Sequence, residues 1–245
     1  MKAGLAKGKA KKVLGFKNGT QTFLNAIAKE LGNERVILNT KVEKLKLSDG
    51  FVEINSELKA KQVILATDAS ASADLIKFID LDLANNISKV KYSPLGLIHL
   101  VAKQNSNFGA GFLSVGKRAT LGVLCSSNAF EGRAPEDSLL LTCFVGGAKN
   151  PELADVRDSK IEELVIREVV ETLKLESSPQ IINKVFWKNA IPNYELGHFK
   201  LQEMVECYNQ SDNRVKLFGS WLNGAGIGKI IENARRFSSS LKCLN

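Results

Sequence analysis

The chain has 245 residues, of which 44% are hydrophobic and 24% are charged, as is usual for a globular protein. No apolar run reaches about 18 residues and no apolar core follows the first charges, so neither a membrane span nor a secretory signal is expected. The net charge of +8 arises largely from six lysines in the first 17 residues, because the other 28 basic residues face 26 acidic ones.

The basic tail, residues 1–15, has two interpretations: a solvated, frayed end, or a contact with an anionic membrane surface or a partner. Basic residues elsewhere are mixed with acidic ones, so nucleic-acid binding is not expected. The four cysteines include no CxxC pair and the only histidines are His99 and His198, so no metal site is expected. The cysteine usage predicts a protein of the reducing cytoplasm. Peripheral contact with a membrane is left open.

The first elements in chain order alternate between helix and strand. Apolar residues at helical spacing predict a helix over 19–31, capped by Thr20 or Thr22, and Ser48-Asp49-Gly50 predicts a hairpin turn. Asp68 is expected to cap a helix that ends near Phe78. The strands expected between these helices span 36–38, 40–47, 51–55 and 60–67, the last being a buried strand of parallel type.

The middle of the chain is predicted to be mostly antiparallel. The alternating run 90–102 predicts a long strand, and shorter strands are expected at 121–126 and 138–146. A charged, amphipathic helix is predicted over 156–173. Residues 185–199 are expected to lead through a loop into a helix near 200–209.

The last strand, 215–218, stops at Gly219, and further glycines at 224, 226 and 228 precede an apolar-faced helix. Such a turn lets backbone N–H groups approach a ligand closely and aims a helix N-terminus at an anionic or electron-rich group. The alternative is an ordinary tight connection between a strand and a helix.

The order of elements predicts an α+β fold. Its first and last segments would form part of a three-layer dinucleotide-binding domain around an inserted, mixed or antiparallel substrate module. No glycine-rich βαβ unit occurs near the start, so the N-terminal dinucleotide-binding unit is expected to be absent.

Several motifs occur in one order and together carry a resemblance to a known family. They are Gly19-Thr-Gln-Thr-Phe, Val63-Ile-Leu-Ala-Thr, Leu121–Pro135 with its Phe-Glu-Gly-Arg-Ala-Pro ending, Phe144-Val-Gly-Gly, Trp187 with Ala190-Ile-Pro-Asn-Tyr, and Gly197-His-Phe. They resemble the C-terminal half of the oxygen-dependent, FAD-dependent protoporphyrinogen oxidases, within the amine-oxidase-like flavoproteins. The family pattern differs at Asn193, Ala234 and Ala110, where its members carry glutamine, glycine and phenylalanine.

The resemblance implies the site residues. It places Val42 beside the adenine of FAD and Trp187 beside the flavin ring, whereas Leu113 would line a tetrapyrrole pocket; each is equally explained as a core residue. Arg133 and His198 are interpreted as structural, and His99 as a facing or satisfied residue of its strand. No catalytic side chain is expected, because the flavin carries the chemistry. The full implied sets are Val42, Trp187, Ile191, Gly224, Ala225, Gly226 and Ile227 for the cofactor, and Gly111, Leu113, Leu124 and Phe144 for the substrate.

The resemblance also implies domains: the tail at 1–15, a partial FAD-binding domain at 16–78, a substrate-binding domain at 79–200, and a C-terminal FAD-binding strand, turn and helix at 201–245. The expected function is oxidation of protoporphyrinogen IX or coproporphyrinogen III, with FAD reduced and then reoxidised by dioxygen. The phosphate-binding half and the arginine that pairs with a propionate would be supplied elsewhere, for example by a separate N-terminal subunit.

Three explanations of the short length are open: a partial gene product, half of a split enzyme, or a degenerate paralogue. Two other functions are open as well. One is a non-catalytic module that binds a tetrapyrrole or a partner. The other is a different amine-oxidase-like flavin oxidoreductase, although only 7% of the residues are aromatic and no aromatic pair precedes the final turn.

Overall fold

The computed structural model describes residues 15–103, 109–211 and 213–241. Most of the basic tail and Cys243 lie outside these residues. In chain order the elements are α1 (Gln21–Leu31), β1 (Leu45–Ser48), β2 (Phe51–Ile54), β3 (Leu58–Ala60), β4 (Val63–Leu65), α2 (Ala69–Ile76), α3 (Leu81–Ile87), β5 (Tyr92–Lys103), β6 (Gly111–Leu113), β7 (Thr120–Cys125), α4 (Ser126–Ala129), β8 (Ser138–Gly146), α5 (Ser159–Leu173), β9 (Gln180–Pro192), α6 (His198–Gln210), β10 (Val215–Leu217), α7 (Ser220–Asn223) and α8 (Ile227–Ser240), with 3-10 turns at Asn33–Arg35 and Pro151–Ala154.

The predicted α+β class is confirmed, and the described strands form three sheets. Strands β1, β2 and β3 make an antiparallel meander, and β4 pairs in parallel with β10. The third sheet is antiparallel, has the order β6-β7-β8-β5-β9 and forms the inserted middle of the chain. The hairpin predicted at Ser48-Asp49-Gly50 is confirmed, since Ser48 pairs with Phe51 and Gly50 takes the positive φ of 84° that the turn requires.

Two cores hold these sheets. The first lies between the meander, the parallel pair and the helices α2, α3 and α6, and the fully buried Trp221 is its largest side chain. The second lies between one face of the five-stranded sheet and α5. The predicted Asp68 cap of α2 is confirmed, because its carboxylate accepts a hydrogen bond from the Ala71 N–H at 2.9 Å.

The prediction of strands at 36–38 and 40–44 is wrong, because β1 begins only at Leu45. A strand needs a neighbouring strand for its backbone groups, and here the side chain of Asn55 bonds the segment instead. Its carbonyl oxygen accepts from the N–H groups of Glu43 and Lys44, and its amide donates to the Lys41 carbonyl. The loop expected within 185–199 lies at 193–197, because residues 185–192 continue β9 beside β5.

The first helix and the parallel pair are less buried than predicted. No residue of α1 is buried, and Leu24, on its apolar face, is 54% exposed. Thr20 precedes α1 without the side-chain cap that was expected. The strand predicted to be buried over 60–67 is divided at residues 61–62, and Ile64 on β4 is 43% exposed. Among the described residues, therefore, no further layer covers the exposed sides of α1 and β4.

The outer edge of β10 is closed by a single side chain. Asn209 on α6 donates from Nδ2 to the Leu217 carbonyl at 2.8 Å, and its Oδ1 accepts from the Leu217 N–H at 2.9 Å. The amide thus occupies the position of a further strand at this residue. The opposite edge of the pair, along β4 at Ile64, remains open in the described residues.

We expect Asn209→Ala to lower the free energy of unfolding by about 1–3 kcal/mol, because the buried Leu217 amide and carbonyl lose their partners. Urea denaturation measures this loss. The neighbouring Gln210→Ala serves as a control, since Gln210 is exposed and makes one 3.4 Å hydrogen bond to Glu206. Equal stability of the two variants would show that Asn209 does not close the edge.

Candidate functional site

The glycine turn predicted from the sequence joins α7 to α8. Gly224 has φ 114° and ψ 140°, a conformation that L-residues with a side chain rarely adopt. Gly226, by contrast, has φ −73° and ψ 135°, and an added Cβ would meet no atom within 4 Å. The fold therefore accounts for a glycine at 224 but not for one at 226.

The N-terminus of α8 is open. Gly226 is its N-cap, no side chain caps it, and no acidic residue lies in its first turn. Ala225, Gly226 and Ile227 are exposed. The first N–H groups of a 14-residue helix and the positive end of its dipole therefore face outward, which suits an anionic or electron-rich ligand.

The turn is held in place by the segment that follows β9. The Tyr194 hydroxyl donates to the Ser220 carbonyl at 2.6 Å, and Gln202 on α6 donates to the Leu222 carbonyl. His198 Nε2 lies 3.4 Å from the same Leu222 oxygen, which agrees with the structural interpretation of this histidine. These contacts fix the turn relative to the end of β9.

On the other side of the turn, Trp221 fastens α7 to the end of β4. Its indole Nε1 donates to the Thr67 carbonyl at 3.1 Å. Trp221 lies within the glycine-rich stretch, which by itself assigns this side chain no role. The only signal in the sequence is the position of Trp221 between a strand and a glycine turn. This position is too general to predict the contact with Thr67.

The five-stranded sheet has a second face, opposite α5, which we call the open face. Cross-strand pairs place Leu124 beside Thr142 and Phe144 beside Gly122 on this face, where β6 adds Gly111 and Leu113. All four residues predicted to contact the substrate therefore share one face. Leu113 is 85% exposed, so it is not a core residue of the described structure.

Strand β9 connects the open face to the glycine turn. Trp187 pairs with Leu95 at the end of the open face and is 45% exposed, which excludes the core interpretation within the described residues. Ile191, four residues further along the same strand, is 46% exposed. Tyr194, whose hydroxyl bonds the turn, lies two residues beyond the end of β9. Two of the predicted flavin residues thus lie on the strand that leads from the open face to the turn.

Val42 is not brought to this strand. It lies in the irregular segment before β1, is 37% exposed, and among the described residues makes no hydrogen bond to the glycine turn. Its predicted contact with adenine stays a prediction. Arg133 follows its structural interpretation, since Nη2 donates to the Phe16 carbonyl at 2.6 Å.

His99 takes the first of its two expected roles, that of a residue on one face of its strand. It lies on β5 in the open face, between Thr142 of β8 and Asn183 of β9. Its Nδ1 is buried and has no hydrogen-bond partner. Burial lowers the pKa of the imidazole, and this effect outweighs the backbone contact at Asn183 that raises it. Burial therefore favours the neutral form of the ring.

A groove of about 1020 Å³ runs between α6 and α8. Among the residues predicted to contact cofactor or substrate, only Gly224 lines it. The candidate site is therefore not this groove but the exposed side of the turn together with the open face. Within the described ranges, no three His, Cys, Asp or Glu side chains form a cluster suited to a metal ion.

The residues present fit part of FAD. The uncapped α8 N-terminus and the free space at Gly226 suit the pyrimidine edge of a flavin, which becomes negatively charged on reduction. Trp187 and Ile191 provide an exposed apolar surface along β9, the strand that leads towards the turn. A glycine-rich βαβ turn for the pyrophosphate does not occur in the described residues.

Comparison with known families agrees with this geometry. The model of the family described as "Flavin containing amine oxidoreductase" matches residues 4–238. Chloroplastic protoporphyrinogen oxidase of Nicotiana tabacum is 24% identical over 261 residues, which cover 97% of this chain and 47% of that protein. Coproporphyrinogen III oxidase of Propionibacterium freudenreichii subsp. freudenreichii is 26% identical over 232 residues, which cover 90% of this chain and 43% of that protein. The chain thus spans about half the length of the curated relatives it matches.

Solved structures support the fold. A crystal structure from Exiguobacterium sp. 255-15, described as a candidate protoporphyrinogen oxidase, has a TM-score of 0.78 at 17% identity and is matched over 92% of this chain and 51% of its own. Reduced UDP-galactopyranose mutase has a TM-score of 0.71 at 15% identity, with coverage of 90% and 51%. The described helices include none with the length and apolar character needed to cross a bilayer.

Proposed function

Because the chain belongs to the family of flavin containing amine oxidoreductases, we propose that it forms one half of a porphyrinogen-oxidising enzyme that uses FAD, the cofactor of this family. One observation carries the proposal: Gly111, Leu113, Leu124 and Phe144 share the open face, and β9 leads from that face directly to the glycine turn. The names of the curated relatives, which include protoporphyrinogen and coproporphyrinogen III oxidases, support this choice of substrate class.

The roles of the residues follow from their positions. Bound FAD would supply the acceptor of a hydride equivalent, and dioxygen would restore it. The N–H groups before and within the first turn of α8 would stabilise negative charge at the flavin edge. The open face would orient an apolar macrocycle against Trp187 and exclude water from it. No side chain of this chain is proposed as a catalytic acid or base.

We further propose that a dinucleotide-binding βαβ unit completes the sheet at β4, whether it belongs to a longer form of this chain or to a separate subunit. The edge at β10 is closed by Asn209, so a parallel strand can be added only beside Ile64. The exposed face of α1, which includes Leu24, would be covered at the same time. That unit would provide the pyrophosphate site and the arginine for a propionate.

The domain boundaries at 16–78, 79–200 and 201–245 remain part of this proposal. Within the described structure, α3 contributes Leu83 and Ile87 to the first core, although it falls in the segment assigned to the substrate domain. The cytoplasmic location, with or without peripheral membrane contact, also stays a prediction. Several plant relatives are chloroplastic or mitochondrial by name.

The test is the visible absorption spectrum of the purified chain after incubation with FAD and removal of free ligand. The chain is measured alone and after co-expression with the dinucleotide-binding half of the tobacco relative. We expect a retained flavin band, stronger in the co-expressed sample, and porphyrin fluorescence when protoporphyrinogen IX or coproporphyrinogen III is added. A folded protein with neither signal in either sample would contradict the proposal.

A further inference from the structure

The carbonyl groups of the short helix α7 are bonded by side chains from outside it. The last four carbonyls of a helix have no partner within the helix, and α7 has only four residues. Three of these carbonyls accept from Tyr194 Oη (Ser220 oxygen, 2.6 Å), Gln202 Nε2 (Leu222 oxygen) and Asn233 Nδ2 (Asn223 oxygen, 3.2 Å). The acceptors before the glycine turn are thus occupied by protein groups, whereas no side chain caps the N–H groups that open α8.

Tyr194 differs from the other two side chains because its hydroxyl bonds backbone groups at both ends of α7. Burial raises the pKa of the Tyr194 phenol, and a backbone hydrogen bond at Gly224 opposes this rise. A backbone group lowers the pKa of a phenol when its N–H donates to the phenol oxygen, because that bond stabilises the charged form. The hydroxyl therefore donates to the Ser220 carbonyl and accepts from the Gly224 N–H.

This hydroxyl takes the place of a helical hydrogen bond. In a regular α-helix the N–H of residue 224 would donate directly to the carbonyl of residue 220. Here Gly224 leaves the helix with a φ of 114°, and the Tyr194 hydroxyl lies between the two groups. A side chain inserted in this way opens or bends a helix. The insertion therefore favours the end of α7 at Asn223 and the change of direction before α8.

The five-stranded sheet determines where this hydroxyl lies. Tyr194 follows β9, the strand that carries Trp187. The residue before it, Asn193, is fixed to the start of β5 by two hydrogen bonds. Its backbone N–H donates to the Lys91 carbonyl at 2.8 Å, and its side-chain oxygen accepts from the Ser93 hydroxyl at 2.6 Å. The position of the glycine turn is therefore tied, through one phenol, to the strand that leads from the open face.

We propose that Tyr194, assisted by Asn233, is a positioning residue for the cofactor: its hydroxyl, inserted between residues 220 and 224, orients the N–H groups that open α8 towards the flavin edge. Without the hydroxyl, the Gly224 N–H and the Ser220 carbonyl are free to bond each other, which would lengthen α7 and withdraw the turn from a ligand. This inference rests on the proposed function and adds to it the residue that sets the electrostatic surroundings of the flavin. Tyr194 acts through the turn and not on the reacting atoms.

The first test compares two tyrosine variants by amide hydrogen exchange of the peptide that spans residues 219–228. Tyr194→Phe removes the hydroxyl and keeps a ring that is 45% exposed, so the fold should be retained. Tyr92→Phe is the matched control, because the Tyr92 hydroxyl also accepts from a backbone N–H, that of Ala69 at 2.9 Å, but on α2 and not on the turn. We expect Tyr194→Phe to accelerate exchange about two- to tenfold, as the loss of one net hydrogen bond implies, and Tyr92→Phe to leave it unchanged.

The second test is the two-electron reduction potential of bound FAD, measured against a reference dye on the chain co-expressed with the dinucleotide-binding half of the tobacco relative. Reduction places negative charge at the flavin edge, so a turn that presents its N–H groups poorly binds the reduced form less well. We expect Tyr194→Phe to weaken the binding of reduced FAD about two- to fivefold more than that of oxidised FAD, which makes the potential about 10–20 mV more negative. Tyr92→Phe should leave the potential unchanged, and a purely structural role of Tyr194 would lower the melting temperature without moving it.

The outcomes are distinguishable. Unchanged exchange in Tyr194→Phe would show that the hydroxyl does not hold the turn, and faster exchange with an unchanged potential would overturn the positioning role while leaving the flavin site intact. A folded parent complex that binds no FAD would contradict the proposed function itself, and the role of Tyr194 with it. If Tyr194→Phe does not fold, Asn233→Ala replaces it, because it frees the Asn223 carbonyl of the same turn. The potential should then shift in the same direction, and an unshifted potential would overturn the inference.

Discussion

Gly226→Thr is expected to weaken FAD binding at least tenfold while leaving the stability of the protein almost unchanged. The backbone at 226 is extended with negative φ, and an added Cβ meets nothing within 4 Å, so the fold tolerates a side chain there. Threonine and glycine are also about equally good at a helix N-cap. A ligand that approaches the backbone of Gly226 closely would, however, collide with the new side chain. Quenching of flavin fluorescence during titration gives the dissociation constant, and thermal melting gives the stability.

Gly224→Ala provides the contrasting control. Gly224 has a φ of 114°, so alanine would impose backbone strain of about 1–3 kcal/mol, and its Cβ would lie 3.2 Å from Lys229 Cγ. Stability should therefore fall in this variant even without flavin. Unchanged FAD affinity in Gly226→Thr, measured on the chain alone and with the added βαβ unit, would show that the flavin does not contact the turn.

Elements defined by local patterns were predictable. The apolar alternation of β5 and β8 and the helical spacing of α5 gave strands and a helix close to the observed Tyr92–Lys103, Ser138–Gly146 and Ser159–Leu173. The cap by Asp68 follows from a single side chain next to its own helix. Such features depend on neighbours within a few residues, which the sequence shows directly.

Features that depend on distant partners were missed. Strand β9 carries Asn183 and Lys184 and lacks a clean alternation, so only its pairing with β5 makes it a continuous strand. The segment before β1 contains the apolar run 36–38, but its residues 41–44 are bonded by Asn55, which lies on the far side of the hairpin. In both cases the backbone is bonded by a residue that is distant in sequence, which local periodicity cannot identify.

The same limit applies to the candidate site. The resemblance supplied the names of Leu113, Leu124 and Phe144, but a period of two cannot say which strands are neighbours or which faces coincide. The row formed by Thr142, His99 and Asn183 depends on the register of three strands and on one bulge. From the sequence, His99 can therefore be interpreted only by itself, as a facing or satisfied residue, because its neighbours Thr142 and Asn183 are set by the pairing of the sheet.

Trp221→Ala is expected to lower the free energy of unfolding by about 3–5 kcal/mol, which is a large fraction of the stability of an ordinary domain. The indole is fully buried in the first core, and its removal leaves a cavity and deprives the Thr67 carbonyl of a hydrogen-bond donor. Because Trp221 also joins α7 to the end of β4, the glycine turn should lose its position, and FAD binding should fall together with stability. Urea denaturation followed by circular dichroism measures the loss.

The second tryptophan is the matched control. Trp187 is 45% exposed at the end of the open face, so Trp187→Ala should cost far less stability while still weakening porphyrin binding. Fluorescence identifies the two sites, since the Trp187→Ala variant retains only Trp221 and should show blue-shifted emission that acrylamide does not quench. Red-shifted emission that acrylamide quenches would contradict the burial of Trp221 in that variant, because an indole buried in the first core is inaccessible to both water and quencher.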